Sequence, residues 1–402
     1  MPMTASPEDE EIDRALRVIV LAGFISMYSM RFCDAMLPEF SQIFHLTTGQ
    51  AAQALSWYAM GYGVMQLVSG GLAERMGKVA TVRWCLLGCA VGALICGFAY
   101  RFEMLLFGRF LTGFSSGGII PMIIAWLGDN VPTHQRQARL ATLMSATVMG
   151  TMTGQWSGGL IVAWVGWHNA FYILSFLFLL IAWRLQKIPT VEKINAEATD
   201  TFWTLSLAHV HRVQFLLRDA RARWVLMLGL VEGLLTYSTI AFLPTHLHLS
   251  IGLSVAVAGG VLAFYSVGGF LYARNARRLL ALFEPQQLIW IGTALQIVGF
   301  MGIAFSSLWQ LDILLCLLTG FGLLMVHNAI QLQATEISTQ RGIGVSMFVL
   351  MIFLGQTLNA WLGGQIIDYV SSQWVFCIAA VGSVLVSWML LIHLKKDVVT
   401  NP

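Results

Sequence analysis

Four ionisable side chains lie inside long apolar stretches of this chain, where an uncompensated charge is costly. Arg31 and Asp34 fall in the first stretch, Arg109 in the fourth and Glu232 in the seventh. A charge in hydrocarbon costs about 2.5–3.5 kcal/mol on insertion scales unless it pairs or faces a water-filled cavity. Each residue is therefore a candidate for proton transfer or for binding a charged solute. The structural alternatives are a local Arg31–Asp34 ion pair and a protonated Glu232 bonded to a neighbouring helix.

Amide and aromatic side chains in the same stretches add candidates for contacting a solute. Gln356 and Asn359 are three residues apart, which places two amides on one face of a helix. Most such residues serve packing, and His327 is expected to form a structural hydrogen bond. The candidate cavity residues are Tyr28, Tyr58, Tyr62, Gln66, Gln155, Tyr237, Asn328, Gln356 and Asn359.

Twelve apolar runs position these residues, each close to the roughly 20 residues that a helix needs to cross a bilayer. This predicts an all-α polytopic membrane protein with two six-helix bundles, residues 18–187 and 224–394. A short amino-terminal segment (1–17), a polar, basic linker (188–223) and a tail (395–402) complete the chain. The predicted spans are 18–38, 51–71, 79–99, 104–126, 139–162, 168–186, 224–245, 254–273, 286–306, 311–332, 343–366 and 372–393.

Lys and Arg residues set the predicted orientation. Nearly all of those in the loops and termini fall on one side of the predicted membrane, whereas the opposite side holds only Arg101. Positive charge favours the cytoplasmic side. Both termini and the linker are therefore predicted in the cytoplasm, with the chain in an inner membrane.

Composition excludes several other classes of protein. Hydrophobic residues make up 57% of the chain and charged residues 11%, too little charge for a soluble domain of this length. The net charge of +3 gives no support for nucleic-acid binding. The six cysteines lie in apolar runs without a CxxC pair, and there is no phosphate-binding glycine loop or HExxH motif. We therefore expect no metal, no cofactor and no enzymatic activity.

An internal repeat supports the division into two halves. Residues 150–159, GTMTGQWSGG, and residues 355–364, GQTLNAWLGG, share the first Gly, the Trp and the final Gly pair at one constant offset. Parallel repeats of six helices are typical of one large group of secondary transporters.

A charged, glycine-rich segment between the second and third runs carries a more specific signal. Residues 70–78 are predicted to form a short turn at the membrane surface, and we call them the signature loop. The segment resembles the loop between helices two and three of the major facilitator superfamily, although Glu74 stands where the family has Asp. The matching residues are Gly70, Leu72, Ala73, Arg75, Gly77 and Lys78.

The resemblance implies the fold and a role for this loop. In the family the loop clamps helix two to helix eleven on the cytoplasmic side, and the clamp breaks during switching. Two further patterns resemble family motifs: Arg109 with following glycines in the fourth span, and Gly150, Gly154, Gly158 and Gly159 in the fifth. The fifth-span pattern resembles the antiporter motif, but Gln155 replaces its proline. These glycines also have a simpler interpretation, since small residues let membrane helices pack closely.

The resemblance also yields a hypothesis for coupling. Because the first and fourth helices line the central cavity of this fold, Asp34 is expected to face Arg109 across it. A closed Asp–Arg pair keeps the carboxylate ionised, and its separation in a buried site favours protonation. The expected function is proton-coupled efflux of a small molecule by a monomer. The alternatives are proton-coupled uptake or exchange of an organic anion, drawn by Arg31 and Arg109, and a non-transporting sensor.

Overall fold

The structure, a computed structural model, describes residues 7–186, 214, 216–337 and 341–400. Side chains of residues 7–13, 70, 71, 73, 74, 341, 342 and 395–400 lie outside this description. So does most of the predicted linker, residues 188–213 and 215. The described chain is helical, as predicted.

Helices make up most of the described chain. In the first half they are α1 (Pro7–Arg31), α2 (Leu37–Ile43), α3 (Thr48–Ala51), α4 (Gln53–Met76), α5 (Lys78–Gly97), α6 (Phe102–Gly117), α7 (Ile119–Asn130), α8 (Thr133–Val165) and α9 (Trp167–Gln186). In the second half they are α10 (Ala220–Glu232), α11 (Leu243–Ile251), α12 (Val255–Leu282), α13 (Pro285–Phe305), α14 (Trp309–Glu336), α15 (Arg341–Tyr369) and α16 (Ser372–Thr400).

Ten helical segments of the described chain are long and apolar enough to cross a membrane. The other two predicted spans, the second and the fifth, coincide with α4 and α8. The predicted all-α, multi-pass architecture is therefore confirmed. We name the two ends of the bundle by residues: the Lys78 end carries the signature loop, and the Gly49 end is opposite.

The first and seventh spans are interrupted at equivalent places. After α1, a 3-10 turn (Asp34–Met36) leads into α2, which begins with Leu37-Pro38. After α10, a π-helical turn (Gly233–Tyr237) and a 3-10 turn (Thr239–Phe242) lead into α11, which begins with Leu243-Pro244. Proline fits the first turn of a helix because no donor is needed there. The interruption places Asp34 in an irregular turn, beside the interface between the halves.

Each half has its own hydrophobic core. One cluster of buried side chains lies wholly within residues 15–185. Two further clusters belong mainly to the second half. A small cluster joins the halves, with Tyr58 and Tyr62 of α4 against Phe353 of α15. The ring centroids of Tyr62 and Phe353 are 4.1 Å apart.

The signature loop differs from the predicted turn. Helix α4 continues through Met76, and α5 begins at Lys78, so only Gly77 separates them. Gly77 has φ of 83°, a conformation that glycine adopts without steric penalty. The predicted nine-residue turn is therefore wrong: one glycine reverses the chain, and the rest of the segment is helical.

The glycines of the internal repeat bring helices into backbone contact. A Cβ on Gly150, Gly154 or Gly158 would meet the main chain of α1 and the residue that follows it. A Cβ on Gly159 would meet the main chain of Val255, in the other half. Its repeat partner Gly364 lies against Gly49, again across the interface. The final glycine of each repeat thus lies in a contact between the halves at the Gly49 end. This explains why a residue without a side chain stands at both positions.

Candidate functional site

A small cavity of about 30 Å³ lies between the two halves. The first half supplies Arg31, Asp34 and Tyr58 to its lining. The second half supplies Phe353, Gln356 and Asn359 from α15, together with residues of the seventh span. A cavity of this volume has room for water but not for a drug-sized solute. We call it the central cavity.

Arg31 and Asp34 form an ion pair in the wall of the central cavity. Arg31 Nη1 donates to Asp34 Oδ2 across 3.3 Å, and the two residues are 6% and 1% exposed. The three-residue spacing suggests this pairing as the structural alternative to a role in proton transfer. A buried ion pair of this kind contributes little net stability, whereas removal of one partner leaves a costly unpaired charge.

Arg109 binds main-chain carbonyls rather than a carboxylate. Its Nε donates to the Ala54 carbonyl and its Nη1 to the Ser29 carbonyl, each at 3.2 Å. The guanidinium lies 4.3 Å from the ring centroid of Tyr58. The expected Asp34–Arg109 pair is therefore not formed in this structure, because Asp34 is held by Arg31 and Arg109 by the main chain of α4 and α1.

Tyr58 connects Arg109 to a network of hydroxyl groups in the first half. Its hydroxyl donates to Ser116 Oγ across 2.8 Å and lies 3.2 Å from Ser29 Oγ. Ser26 Oγ lies 2.7 Å from Ser116 Oγ. The network fixes the Tyr58 ring between Arg109 and the central cavity, of which Tyr58 forms part of the wall.

Glu232 finds a partner 95 residues away in sequence. His327 Nδ1 lies 3.1 and 3.2 Å from the two carboxyl oxygens of Glu232, joining α10 to α14. Both residues are buried, at 1% exposed for Glu232 and 9% for His327. The ring of Tyr237 lies 5.2 Å from the His327 ring. The sequence indicated that each residue forms a hydrogen bond but not that they bond to each other.

Removing His327 is expected to destabilise the fold more than neutralising Glu232. His327→Leu leaves a buried carboxyl group without its hydrogen-bond partner, which costs about 1–3 kcal/mol. Glu232→Gln keeps a hydrogen-bonding side chain of the same size. Thermal unfolding of the purified variants should therefore rank His327→Leu lowest, and adding Glu232→Gln to it should recover part of the loss. Equal unfolding temperatures for wild type and His327→Leu would contradict the pairing.

The other predicted cavity residues divide into two groups. Tyr58, Gln356 and Asn359 line the central cavity, and Tyr62 stacks on Phe353 beside it. The rest make hydrogen bonds or ring contacts elsewhere. These contacts are Tyr28 with Ser157 (2.8 Å), Gln66 with the Gly117 carbonyl (3.0 Å), Gln155 with Ser266 across the halves (2.7 Å), Tyr237 with the His327 ring, and Asn328 with Tyr272.

One ion pair of the signature loop lies within the first half. Lys78 pairs with Asp129, near the end of α7. Gly70 and Glu74 are helical. The Glu74 side chain lies outside the described residues, so its predicted clamp to the eleventh span stays a prediction. Arg75 is exposed.

Sequence reasoning missed part of the cavity wall and one buried carboxyl group. Ser238 and Phe242 line the cavity from the irregular turns of the seventh span. Hydrophobic periodicity in the sequence does not predict such turns. Asp312 is fully buried in the first turn of α14, at the Gly49 end. Its place at the edge of an apolar run was the available signal.

Two helical halves around a small polar cavity define a multi-pass membrane transporter. The chain belongs to the Major Facilitator Superfamily, whose family model matches residues 19–348. It is a secondary transporter and not an enzyme. The predicted resemblance to this family is thus confirmed.

Known proteins similar to this chain include resistance proteins. It is 26% identical over 400 residues to the multidrug resistance protein MdtG of Salmonella paratyphi C, covering 93% of this chain and 94% of that protein. It is 22% identical over 270 residues to a chloramphenicol resistance protein of Streptomyces lividans, covering 67% of each. The crystal structure of a point mutant of the nucleoside transporter NupG superposes with a TM-score of 0.75 at 14% identity, covering 94% of this chain and 99% of that one. That structural likeness concerns the fold.

Proposed function

We propose that this protein exports a small molecule in exchange for protons. The observation that carries the proposal is the buried Arg31–Asp34 pair, which lines a cavity between the two halves. While the pair is closed, Asp34 is ionised. When solute or helix movement separates it, burial favours protonation of the carboxyl. Proton and solute then bind in alternation.

Two charged groups have supporting roles in this proposal. Arg109 adds positive charge behind Tyr58, which favours the return of Asp34 to its ionised form. Glu232, bonded to His327, is a second protonation site in the other half.

The glycine pattern and the signature loop serve the movement of the helices. The α8 glycines at positions 150, 154, 158 and 159, with Gln155 where the family's antiporter motif has proline, hold α8 against α1 and α12. The signature loop, with Lys78 bonded to Asp129, changes partners when the halves rock.

The proposed setting is a bacterial-type inner membrane, with the Lys78 end and both termini in the cytoplasm. The distribution of Lys and Arg supports this orientation. The proposed unit is a monomer, in which residues 18–187 and 224–394 move as two bodies and 188–223 link them. Similarity to proteins named for multidrug and chloramphenicol resistance supports the efflux direction.

Proton-coupled uptake or exchange of an organic anion is the second candidate. Arg31 lines the cavity, and protonation of Asp34 would release it for a carboxylate. The absence of the antiporter proline at Gln155 favours the same candidate.

A solute panel in proteoliposomes with an imposed pH gradient tests the two candidates. The panel contains four solutes: chloramphenicol, a second aromatic amide, the carboxylate analogue of that second amide, and the lipophilic cation ethidium. Exchange for protons predicts accumulation of at least one solute on the acidic side of the membrane. Accumulation of the carboxylate alone on the alkaline side would replace efflux by anion uptake.

A further inference from the structure

Two amide side chains in the central cavity have hydrogen-bonding atoms without partners. Gln356 Nε2 and Asn359 Oδ1 are both buried and have no hydrogen-bond partner among the described residues; the two residues are 6% and 7% exposed. Both residues line the cavity. A buried polar atom without a partner is costly in the absence of a ligand or water. The pair therefore offers one donor and one acceptor to whatever occupies the cavity.

The orientation of Asn359 is fixed by its own hydrogen bonds. Its Nδ2 donates to the Leu234 carbonyl at 2.5 Å and to Thr239 Oγ1 at 3.2 Å. A carbonyl only accepts, so the amide nitrogen must face Leu234, which lies in the π-helical turn of the seventh span. Oδ1 is then the atom left to accept a hydrogen bond from a ligand.

The internal repeat shows that packing alone does not require these amides. At the repeat offset, Thr151 and Gly154 occupy the positions of Gln356 and Asn359. Gly154 lets α8 contact the main chain at Tyr28. The second half departs from the repeat here by placing two amides at the cavity.

The two charges that line the cavity are paired with each other, since Arg31 is bonded to Asp34. Arg109 lies behind the Tyr58 ring, where it donates to two carbonyls and its Nη2 has no partner among the described residues. An anionic ligand would have to compete with Asp34 for Arg31, and a cationic ligand with Arg31 for Asp34. Phe242 and Phe353 supply apolar walls.

We propose that the central cavity, once the two halves have moved apart and widened it beyond its volume of about 30 Å³ in this structure, binds an uncharged ligand that carries a carboxamide-type group on an apolar body. The ligand's carbonyl accepts from Gln356 Nε2, and its N–H or O–H donates to Asn359 Oδ1. The Arg31–Asp34 pair stays closed while such a ligand binds. This inference rests on the proposed function, because it names the class of solute for the same cavity.

Binding of three size-matched probes to the full chain in lipid nanodiscs tests this inference. The probes are 3-phenylpropanamide, 3-phenylpropanoate and 3-phenylpropylammonium, which share one body and differ in the charge of the end group. The amide should bind at least about tenfold more tightly than either ion, since a site built for hydrogen bonding rejects groups that leave it unpaired. Asn359→Leu and Gln356→Leu should each weaken amide binding about tenfold and leave the binding of both ions unchanged. Gln365→Leu, an exposed amide on the same helix, is the matched control and should change nothing.

Tighter binding of either ion than of the amide would overturn the inference, as would amide binding that neither substitution weakens or no amide binding at all. Unfolding temperatures of the variants distinguish the loss of a contact to the ligand from destabilisation of the whole protein. If the amide binds as expected but a pH gradient does not drive its transport, proton coupling fails and this inference stands. If a pH gradient drives only a charged solute, this inference fails and proton coupling stands.

Discussion

Replacing Asp34 with Asn is expected to abolish accumulation driven by a pH gradient while leaving the protein folded. Asn has nearly the size of Asp and still accepts a hydrogen bond from Arg31, which lies 3.3 Å away, but it cannot carry a proton. A gradient of one pH unit supplies about 1.4 kcal/mol per proton, enough for about tenfold accumulation of an exchanged solute. In proteoliposomes the wild type should approach this ratio, and Asp34→Asn should reach only equal concentrations on both sides.

Two further variants make that result specific. Asp34→Glu keeps a carboxyl group and should retain part of the coupling. Glu103→Gln removes an exposed carboxyl group in the first turn of α6 and should behave as the wild type. Full accumulation by Asp34→Asn, with a normal unfolding temperature, would show that another residue carries the proton, and Glu232 would be tested next.

Gly113→Leu is expected to prevent stable assembly of the first half. A Cβ on Gly113 would meet the main-chain carbonyl of Tyr58, so α6 and α4 would have to separate. Separation would also break the Arg109 bond to Ala54 and move Tyr58 away from the cavity wall. Overpacking in a close-packed core costs about 1–3 kcal/mol, and more where backbone meets backbone. We therefore expect several kcal/mol of destabilisation and little monodisperse protein after extraction.

Gly128 provides the matched control for this prediction. It is an exposed glycine in α7 of the same half, and beyond its chain neighbours and its own helix backbone no atom of the described residues lies within 4 Å of a Cβ built on it. Gly128→Leu should therefore give wild-type yield and unfolding temperature. Equal yield and unfolding temperature for Gly113→Leu and Gly128→Leu would show that the α4–α6 contact tolerates a side chain.

The sequence was sufficient to predict the membrane spans because the number of consecutive apolar residues in each run can be compared directly with the roughly 20 residues that a membrane helix needs. The sequence also offered the Arg31–Asp34 pair as a structural alternative from the three-residue spacing, although Asp34 lies in the 3-10 turn after α1 rather than on the helix itself. It was not sufficient for Arg109, whose partners are main-chain carbonyls that any residue could supply.

Long-range partners were out of reach for a related reason. Helical periodicity gives the face of a residue but not the helix that faces it, so Glu232 and His327 could be identified one at a time but not as a pair. The signature loop was misjudged for a different reason. Its charged residues indicated a turn. Charged residues at a membrane surface can also belong to a helix that extends beyond the membrane, and the single Gly77 was enough to reverse the chain.

The most direct test of the central claim is the direction of proton movement that accompanies solute movement. Proteoliposomes containing the full chain and a pH-sensitive dye inside start with equal pH on both sides. A solute that the panel shows to be transported is then added outside. As the solute enters, exchange requires protons to leave, so the interior should become more alkaline, and Asp34→Asn should give no change. Acidification of the interior, or solute entry by the wild type without any pH change, would contradict the account.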